Sequence, residues 1–413
     1  MEKALLITIK LDFEKSTWDV VEQEHELKEL ALTAGATIIQ EEVCHRASPT
    51  ANYYIGEGKV AEVEQTVQSK KIDLVIFNNE LTGTQHKNLE NVFGVKVIDR
   101  TQLILDIFAR RARSPEGKAQ VELAQLEYLL PRLSGRGTEL SRLGGGIGTR
   151  GPGEQKLEED RRRIREKISR LKKDLEDIVT RRQALRTRRK EFSLPTIALV
   201  GYTSAGKSTL FNALTGSAQA VSKGLFTTLD PLTRAINLSN GQKVVLSDTV
   251  GFIRELPPHL VEAFKATLEE VVQADLLIHV LDVTSAKVKE HYASVIEVLE
   301  ELGIHEKKII VALNKIDQGE EGWIKRYLRE YPESVAISAL TQKNLELLLE
   351  KIQSCLSLHM QEVDLILPLK KIGLLDFMYQ EGKVTDVVYA ADGIHVKARL
   401  PLIAAQKLKE YHS

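Results

Sequence analysis

Cysteine is scarce in this chain of 413 residues: there are two, Cys44 and Cys355, too isolated for a disulfide framework or a metal-ligand cluster. They read as small apolar residues of a protein kept in a reducing compartment. Aromatic residues are few, at 5%, and the formal net charge is -1, so the chain as a whole does not announce a polyanion partner. No run approaches the roughly 18 apolar residues of a membrane span. The N-terminus, Met1 to Lys10, has no sustained apolar segment and no obvious cleavage site. Helix-turn-helix, zinc-finger and basic-zipper patterns are absent. What is present is a hydrophobic fraction of 43%, enough for real cores. The length gives a soft prior of about three domains.

Residues 4 to about 113 alternate strand and helix signals. Strands are expected at Ala4–Lys10, Ala36–Val43, Asp73–Phe77 and Val95–Ile98. Helices are expected at Val20–Thr33, Lys59–Ser69 and Thr84–Phe93, with another from Thr101. Such alternation predicts a small α/β domain. Gly56-Glu57-Gly58-Lys59 lacks the glycines and spacing of a nucleotide loop and reads as a turn into a helix. From about 110 to 192 the composition turns basic. Val121–Leu130 reads as a short helix that Pro131 ends or kinks. Apolar residues then recur at Leu157, Ile164, Ile168, Leu171, Leu175, Ile178 and Leu185, a heptad seam that predicts two helices packed antiparallel as a long hairpin. Between them, residues 133–154 are rich in glycine and carry Arg136, Arg142 and Arg150. One reading is a flexible linker. The other is a loop that orders on structured RNA, with glycine permitting close backbone approach and arginine supplying bidentate donors.

The most informative stretch is Thr196 to Thr209. A β-branched apolar run, Ile197 to Val200, enters a loop of the form G-x-x-x-x-G-K-S, and Leu210, Phe211, Ala213 and Leu214 follow at helical spacing. Gly201 and Gly206 free the backbone to aim amides at phosphate oxygens, and the helix start adds its own N–H groups and dipole. Gly201, Tyr202, Thr203, Ser204, Ala205, Gly206, Lys207, Ser208 and Thr209 are therefore expected to cradle a nucleotide. Lys207 would reach the β- and γ-phosphates, and Ser208 would ligate Mg²⁺. Val244–Ser247 is an apolar strand ending in Asp248-Thr249-Val250-Gly251: Asp248 can hold Mg²⁺ through water, and Gly251 can give its amide to a γ-phosphate. Strands Leu276–Leu281 and Ile309–Leu313 follow, the second leading into Asn314-Lys315-Ile316-Asp317. The Asp317 carboxylate can accept from guanine N1–H and the 2-amino group, which adenine does not offer. After strand Val335–Ile337, Ser338-Ala339-Leu340 can meet the guanine carbonyl with backbone amides. The chain closes with strands at Leu365–Leu367, Val384–Tyr389 and Gly393–Leu400, a hairpin signal at Asp392-Gly393, and a helix over Leu402–Tyr411.

These motifs, with Leu140 to Glu154, Phe226-Thr227-Thr228-Leu229-Asp230-Pro231, Phe252-Ile253-Arg254, Leu260 to Phe264 and Tyr53-Ile55-Gly56-Gly58-Lys59, resemble the translation-factor class of P-loop GTPases and, more closely, the HflX family. The resemblance runs from about residue 4 to the end and is least diagnostic in the C-terminal part. Gln155-Lys156 departs from the Thr-Gln expected there, away from the nucleotide motifs. The resemblance implies binding to the large ribosomal subunit and its RNA, an N-terminal region near the peptidyl-transferase centre, and splitting of stalled ribosomes under stress. Carried over by position, Phe226, Thr227, Thr228, Leu229 and Asp230 belong to the nucleotide site, with Thr228 as the Mg²⁺-ligating switch residue and Thr227 the neighbouring alternative. Lys207, Thr228 and Gly251 are then the residues expected to serve hydrolysis. Phe252 stands where Ras-like enzymes place a water-orienting glutamine, so slow intrinsic hydrolysis stimulated by the ribosome is expected.

The expected architecture is multi-domain α/β. A small α/β domain (1–113) and a helical hairpin (114–193) precede a P-loop GTPase domain (194–360), and a small α+β domain (361–413) follows. The expected cofactor is Mg²⁺, with GTP as substrate and GDP as product. The expected form is a monomer in the cytoplasm, with some peripheral membrane association. The competing readings are a ribosome-assembly GTPase, a non-enzymatic RNA-binding scaffold with a structural nucleotide site, and an ATP-dependent RNA remodeller, which Asp317 argues against.

Overall fold

The structure is a computed structural model, and it describes residues 2–12, 18–133, 152–191, 194–217, 224–254, 265–357, 360–390 and 392–411. Arg136, Arg142 and Arg150 lie outside the described residues. The chain divides into two compact units. One holds Met1–Asp177 with Ser222–Leu229 and Glu255–Lys265, and the other holds Ile178–Val221, Asp230–Arg254 and Ala266–Ser413. No helix among the described residues is long and apolar enough to cross a membrane.

In the first unit, β1 (Lys3–Leu11), β2 (Thr37–Arg46), β3 (Leu74–Phe77) and β4 (Lys96–Asp99) form a parallel sheet in the order β2-β1-β3-β4. Strand β1 is buried on both faces, which is why it reads as a continuous apolar run. The intervening helices are α1 (Val20–Thr33), α2 (Glu57–Lys70), α3 (Gly83–Phe93) and α4 (Arg100–Arg111). Their starts are set locally. Asp19 with Glu22 and Thr82 with Gln85 form capping boxes on α1 and α3, and left-handed Gly94 ends α3. Gly56 is the N-cap of α2, so the Gly56–Lys59 run opens a helix as expected. Leu5, Ile7, Phe77, Leu89 and Phe93 share one core cluster with Val60, Val63 and Val67 of α2.

Helix α5 spans Pro115–Arg132 and starts earlier than expected, because Ser114 caps it and Pro115 occupies its first turn. The helix runs through Pro131 and ends one residue later, at Arg132. Helix α6 runs over Pro152–Glu191. Its seam residues Ile164, Ile168, Leu171, Leu175 and Ile178 are less exposed than most of the charged residues between them. Lys167–Glu122 and Lys172–Glu127 ion pairs join α6 to α5. Both pairs advance together along the two helices, so at this contact the helices run in the same sense, not in the antiparallel one anticipated from the heptads.

In the second unit a six-stranded sheet has the order β10-β9-β8-β5-β7-β6. Its strands are β5 (Thr196–Val200), β6 (Leu232–Asn237), β7 (Lys243–Asp248), β8 (Leu276–Asp282), β9 (Ile309–Asn314) and β10 (Ser334–Ala336). Only β6 runs antiparallel. Strand β5 sits between β7 and β8, so the chain crosses over in opposite directions from it. Such a switch point leaves a crevice at the carboxyl ends of the strands. A separate antiparallel sheet, β11-β13-β12, joins β11 (Met360–Leu367), β12 (Lys383–Ala390) and β13 (Gly393–Pro401). It packs Leu365, Val396 and Leu400 in one cluster with Leu375 and Met378, from a helix at Gly373–Glu381 that the sequence reading missed.

Candidate functional site

The site grows from strand register. Leu199 of β5 pairs with Asp248 of β7, Val200 pairs with His279 of β8, and Asp282 at the end of β8 pairs with Asn314 at the end of β9. The parallel sheet therefore brings its polar strand ends to one edge, where Gly201 begins the loop into α7 (Lys207–Thr215).

The two loop glycines are sterically required. Gly201 and Gly206 have φ of +154° and +97°. A Cβ on Gly201 would lie 2.4 Å from the Val280 carbonyl oxygen, and one on Gly206 would lie 2.3 Å from Asn314 Nδ2. Ser204 also takes a left-handed conformation. Lys207 is buried, and its ammonium donates to the carbonyl oxygens of Gly201 (2.9 Å) and Tyr202 (2.8 Å). Burial lowers its pKa to about 8, against the raising pull of Asp248.

Ser208 donates its hydroxyl to Asp248 Oδ2 at 2.7 Å. Asp248 is fully buried. A hydroxyl and a carboxylate this close are a hard-oxygen donor set of the kind Mg²⁺ takes alongside phosphate and water. Thr249 is buried and donates to the Leu199 carbonyl at 2.6 Å, tying the Asp248–Gly251 run to β5. Gly251 lies against the loop: a Cβ there would meet Thr203 Cγ2 at 2.9 Å and Lys207 Nζ at 3.2 Å. Val250 is buried beside it. Phe252 is buried and pairs through its backbone. Its amide donates to the Gly201 carbonyl (3.1 Å), and its carbonyl accepts from the Thr203 amide (2.8 Å). Its ring has no polar atom with which to orient water. The Tyr202 hydroxyl accepts from the Arg254 amide at 3.0 Å, and the Tyr202 ring stacks on His291 at 4.1 Å. Sequence reading gave neither contact.

On the other side of the loop, Asn314 is a central tie. Its Nδ2 donates to the Ala205 carbonyl, and its Oδ1 accepts from the Ala339 amide, both at 2.9 Å. One side chain thus joins the Gly201–Thr209 loop to the Ser338–Leu340 loop. Ile316 donates its amide to the Ile337 carbonyl at 3.3 Å. Asp317 is exposed, and its carboxyl sits below the usual range, first because of the Ser338 hydroxyl and more weakly because of Lys315. Ser338 is fully buried, while Leu340 is exposed at the rim. The structure thus brings together the motif residues of 201–209, 248–251, 314–317 and 338–340.

Phe226, Thr227, Thr228 and Leu229 fall in the first compact unit, whereas Asp230 falls in the second. Within that first unit, Phe226 takes φ +54°, is buried, and packs edge-on against Phe108 of α4 with centroids 4.6 Å apart. The Leu225 amide donates to Thr33 Oγ1 of α1 at 3.0 Å. Thr228 therefore belongs to a different unit from Ser208 and Asp248.

Four family models match in sequence order: the GTP-binding GTPase N-terminal model over residues 22–109, its middle region over 111–189, the 50S ribosome-binding GTPase model over 196–315 and the HflX C-terminal domain over 324–410. The GTPase HflX of Caldanaerobacter subterraneus subsp. tengcongensis is 48% identical over 414 residues, covering 99% of this chain and 94% of that relative. The GTPase HflX of Escherichia coli (strain K12) is 40% identical over 410 residues, covering 98% and 95%. A GTP-binding protein of the archaeon Sulfolobus solfataricus, solved in complex with GDP, is 31% identical with a TM-score of 0.45, covering 86% of this chain and 98% of that one. The shared motifs and near full-length matches place this chain in the HflX family of GTPases, enzymes that hydrolyse GTP to GDP and phosphate.

Proposed function

We propose that this GTPase works on the large ribosomal subunit and uses its nucleotide state to control engagement with it, splitting or rescuing stalled ribosomes under stress. The observation that carries the nucleotide part is the Asn314 side chain, which bonds both the Gly201–Thr209 loop and the Ser338–Leu340 loop and so would couple phosphate and base recognition. Support for the ribosomal part is the 50S ribosome-binding GTPase model over 196–315. The basic Gly/Arg segment with Arg136, Arg142 and Arg150 would contact RNA.

Ser208 and Asp248 would hold Mg²⁺, with Thr228 completing the set in the GTP state. The ion would neutralise charge on the β- and γ-phosphates. Lys207 would leave its two loop carbonyls for phosphate oxygens, and the Gly251 amide, beside Lys207, would meet the γ-phosphate. Asp317 would accept from guanine N1–H and the 2-amino group. Phe252 itself cannot orient the attacking water, so intrinsic turnover is slow and the ribosome supplies the acceleration. We assign residues 1–113, 114–193, 194–360 and 361–413 to the four domains, and a monomer in the cytoplasm. Nothing in the described residues supports peripheral membrane association.

Single-turnover phosphate release, with and without 50S and 70S particles, tests this reading. The expected result is at least about a tenfold stimulation, a small fraction of what GTPase partners can supply. Equal rates in all three conditions would refute it. Co-sedimentation with a non-hydrolysable GTP analogue, but not with GDP, is the expected companion result.

A further inference from the structure

Asp282 closes β8, and none of the nucleotide motifs includes it. Its two carboxylate oxygens have separate work. Oδ1 accepts from the Thr284 amide (2.9 Å) and hydroxyl (2.6 Å), which fixes the turn after the strand. Oδ2 takes the Lys315 ammonium at 2.5 Å. The two side chains are 18% and 31% exposed, so water screens the pair less than it would a surface pair.

Lys315 is held in a left-handed conformation, φ +66°, between Asn314, which is locked by its two bonds, and Asp317 two residues on. Its ammonium is paired with Asp282, and its charge is also felt by Asp317. Asp317 is exposed, and the Ser338 hydroxyl is the main influence holding its carboxyl below the usual range. An ammonium settled on Asp317 would occupy the lone pairs that a base edge needs, because a carboxylate reads N–H groups only where its acceptor sites are open. The parallel register that sets Asp282 opposite Asn314 also brings a second carboxylate into ion-pair distance of Lys315.

We infer that Asp282 is a specificity-determining positioning residue: it clamps the Lys315 ammonium away from Asp317 and so keeps the Asp317 carboxylate open to the guanine edge. The inference rests on the reading of Asp317 as the base acceptor. Asp282 touches neither base nor phosphate; it acts through Lys315.

The test measures dissociation constants for GDP and for inosine diphosphate, which lacks the 2-amino group, on the full chain. The wild-type protein is expected to prefer GDP by at least about tenfold, well within what a hydrogen-bonding site achieves, and Asp317→Asn to abolish that preference. Asp282→Asn keeps a carbonyl acceptor for Thr284 but loses the charge that holds Lys315. It should weaken GDP about tenfold, near the low end of one charge-assisted bond, and narrow the GDP preference at least about threefold. Thr284→Ala should leave the preference as it is. On a Lys315→Met background, Asp282→Asn should change the preference no further, because nothing remains to be clamped. Thermal melts without nucleotide check folding, and Asp282→Ser is the second charge-free variant, judged by the same criteria. A wild-type GDP preference that Asp317→Asn removes but the Asp282 variants keep would overturn the inference. So would a narrowing that persists without Lys315. No preference in the wild-type protein would instead overturn the reading of Asp317.

Discussion

His279 should make the nucleotide-binding unit acid-labile, by an amount that can be worked out. It sits on β8, fully buried, with its ring stacked on Tyr292 at 5.0 Å. Neither ring nitrogen has a hydrogen-bond partner among the described residues. Burial first, then the Lys207 charge and His291, push its pKa down from 6.5 to about 3. The folded state therefore keeps a neutral imidazole, while the unfolded chain takes up a proton below pH 6.5. Stability from this group is complete above that value and is lost as pH falls from 6.5 towards 3. Between pH 7.5 and 5.0 the loss is about 2 kcal/mol. His279→Leu has similar volume and cannot titrate, so it should lose about 2 kcal/mol less over the same interval. At a urea slope of roughly 2 kcal/mol/M that is a difference of about 1 M in midpoint. The chain has two tryptophans, Trp18 and Trp323. Trp323 lies in the same compact unit as His279, so its fluorescence in a Trp18→Phe background reports that unit's unfolding. Equal acid losses in the two proteins would refute the reasoning, because the imidazole would then titrate alike folded and unfolded.

Further outcomes follow from the same geometry. Lys207 starts near pKa 8, and a bound phosphate would hold it charged, so GDP affinity should fall about fourfold from pH 7.0 to 8.5, with proton uptake visible by calorimetry in two buffers. No uptake at pH 8.5 would contradict this. Gly206→Ala forces a Cβ to 2.3 Å from Asn314 Nδ2 at a left-handed φ, and should lower nucleotide affinity by roughly tenfold to a hundredfold while the protein stays folded. Wild-type affinity in that variant would show that Asn314 does not set the loop. Replacing Arg142 and Arg150 together should weaken ribosome binding and lower its salt slope by about two, leaving GDP affinity intact. A drop in GDP affinity would mean that the segment serves the nucleotide.

How much was legible from the residues depends on how local each feature is. The phosphate loop announces itself because glycine spacing encodes backbone angles directly: Gly201 and Gly206 take φ values that residues with a Cβ rarely adopt. Helix starts such as Asp19 with Glu22 are equally local. Strand β6, Leu232–Asn237, went unseen because as an edge strand it is half polar and has no buried run to betray it. Phe226 was placed by resemblance with the nucleotide residues, yet it packs on Phe108, a contact spanning more than a hundred residues of chain. Asp282 carries a strand-end signal much like that of Asp248, but nothing nearby in the chain says that its partner is Lys315.

The order of residues alone therefore located the loop, the strand-end Asp248 and the Asn314–Asp317 run, because each is built from neighbours whose backbone angles and hydrogen bonds are set within a few positions. Packing decided which distant groups meet. Parallel strands align residues far apart in the chain, and that register puts Asp248 against Ser208, Asn314 between two loops, and Lys315 in the grip of Asp282.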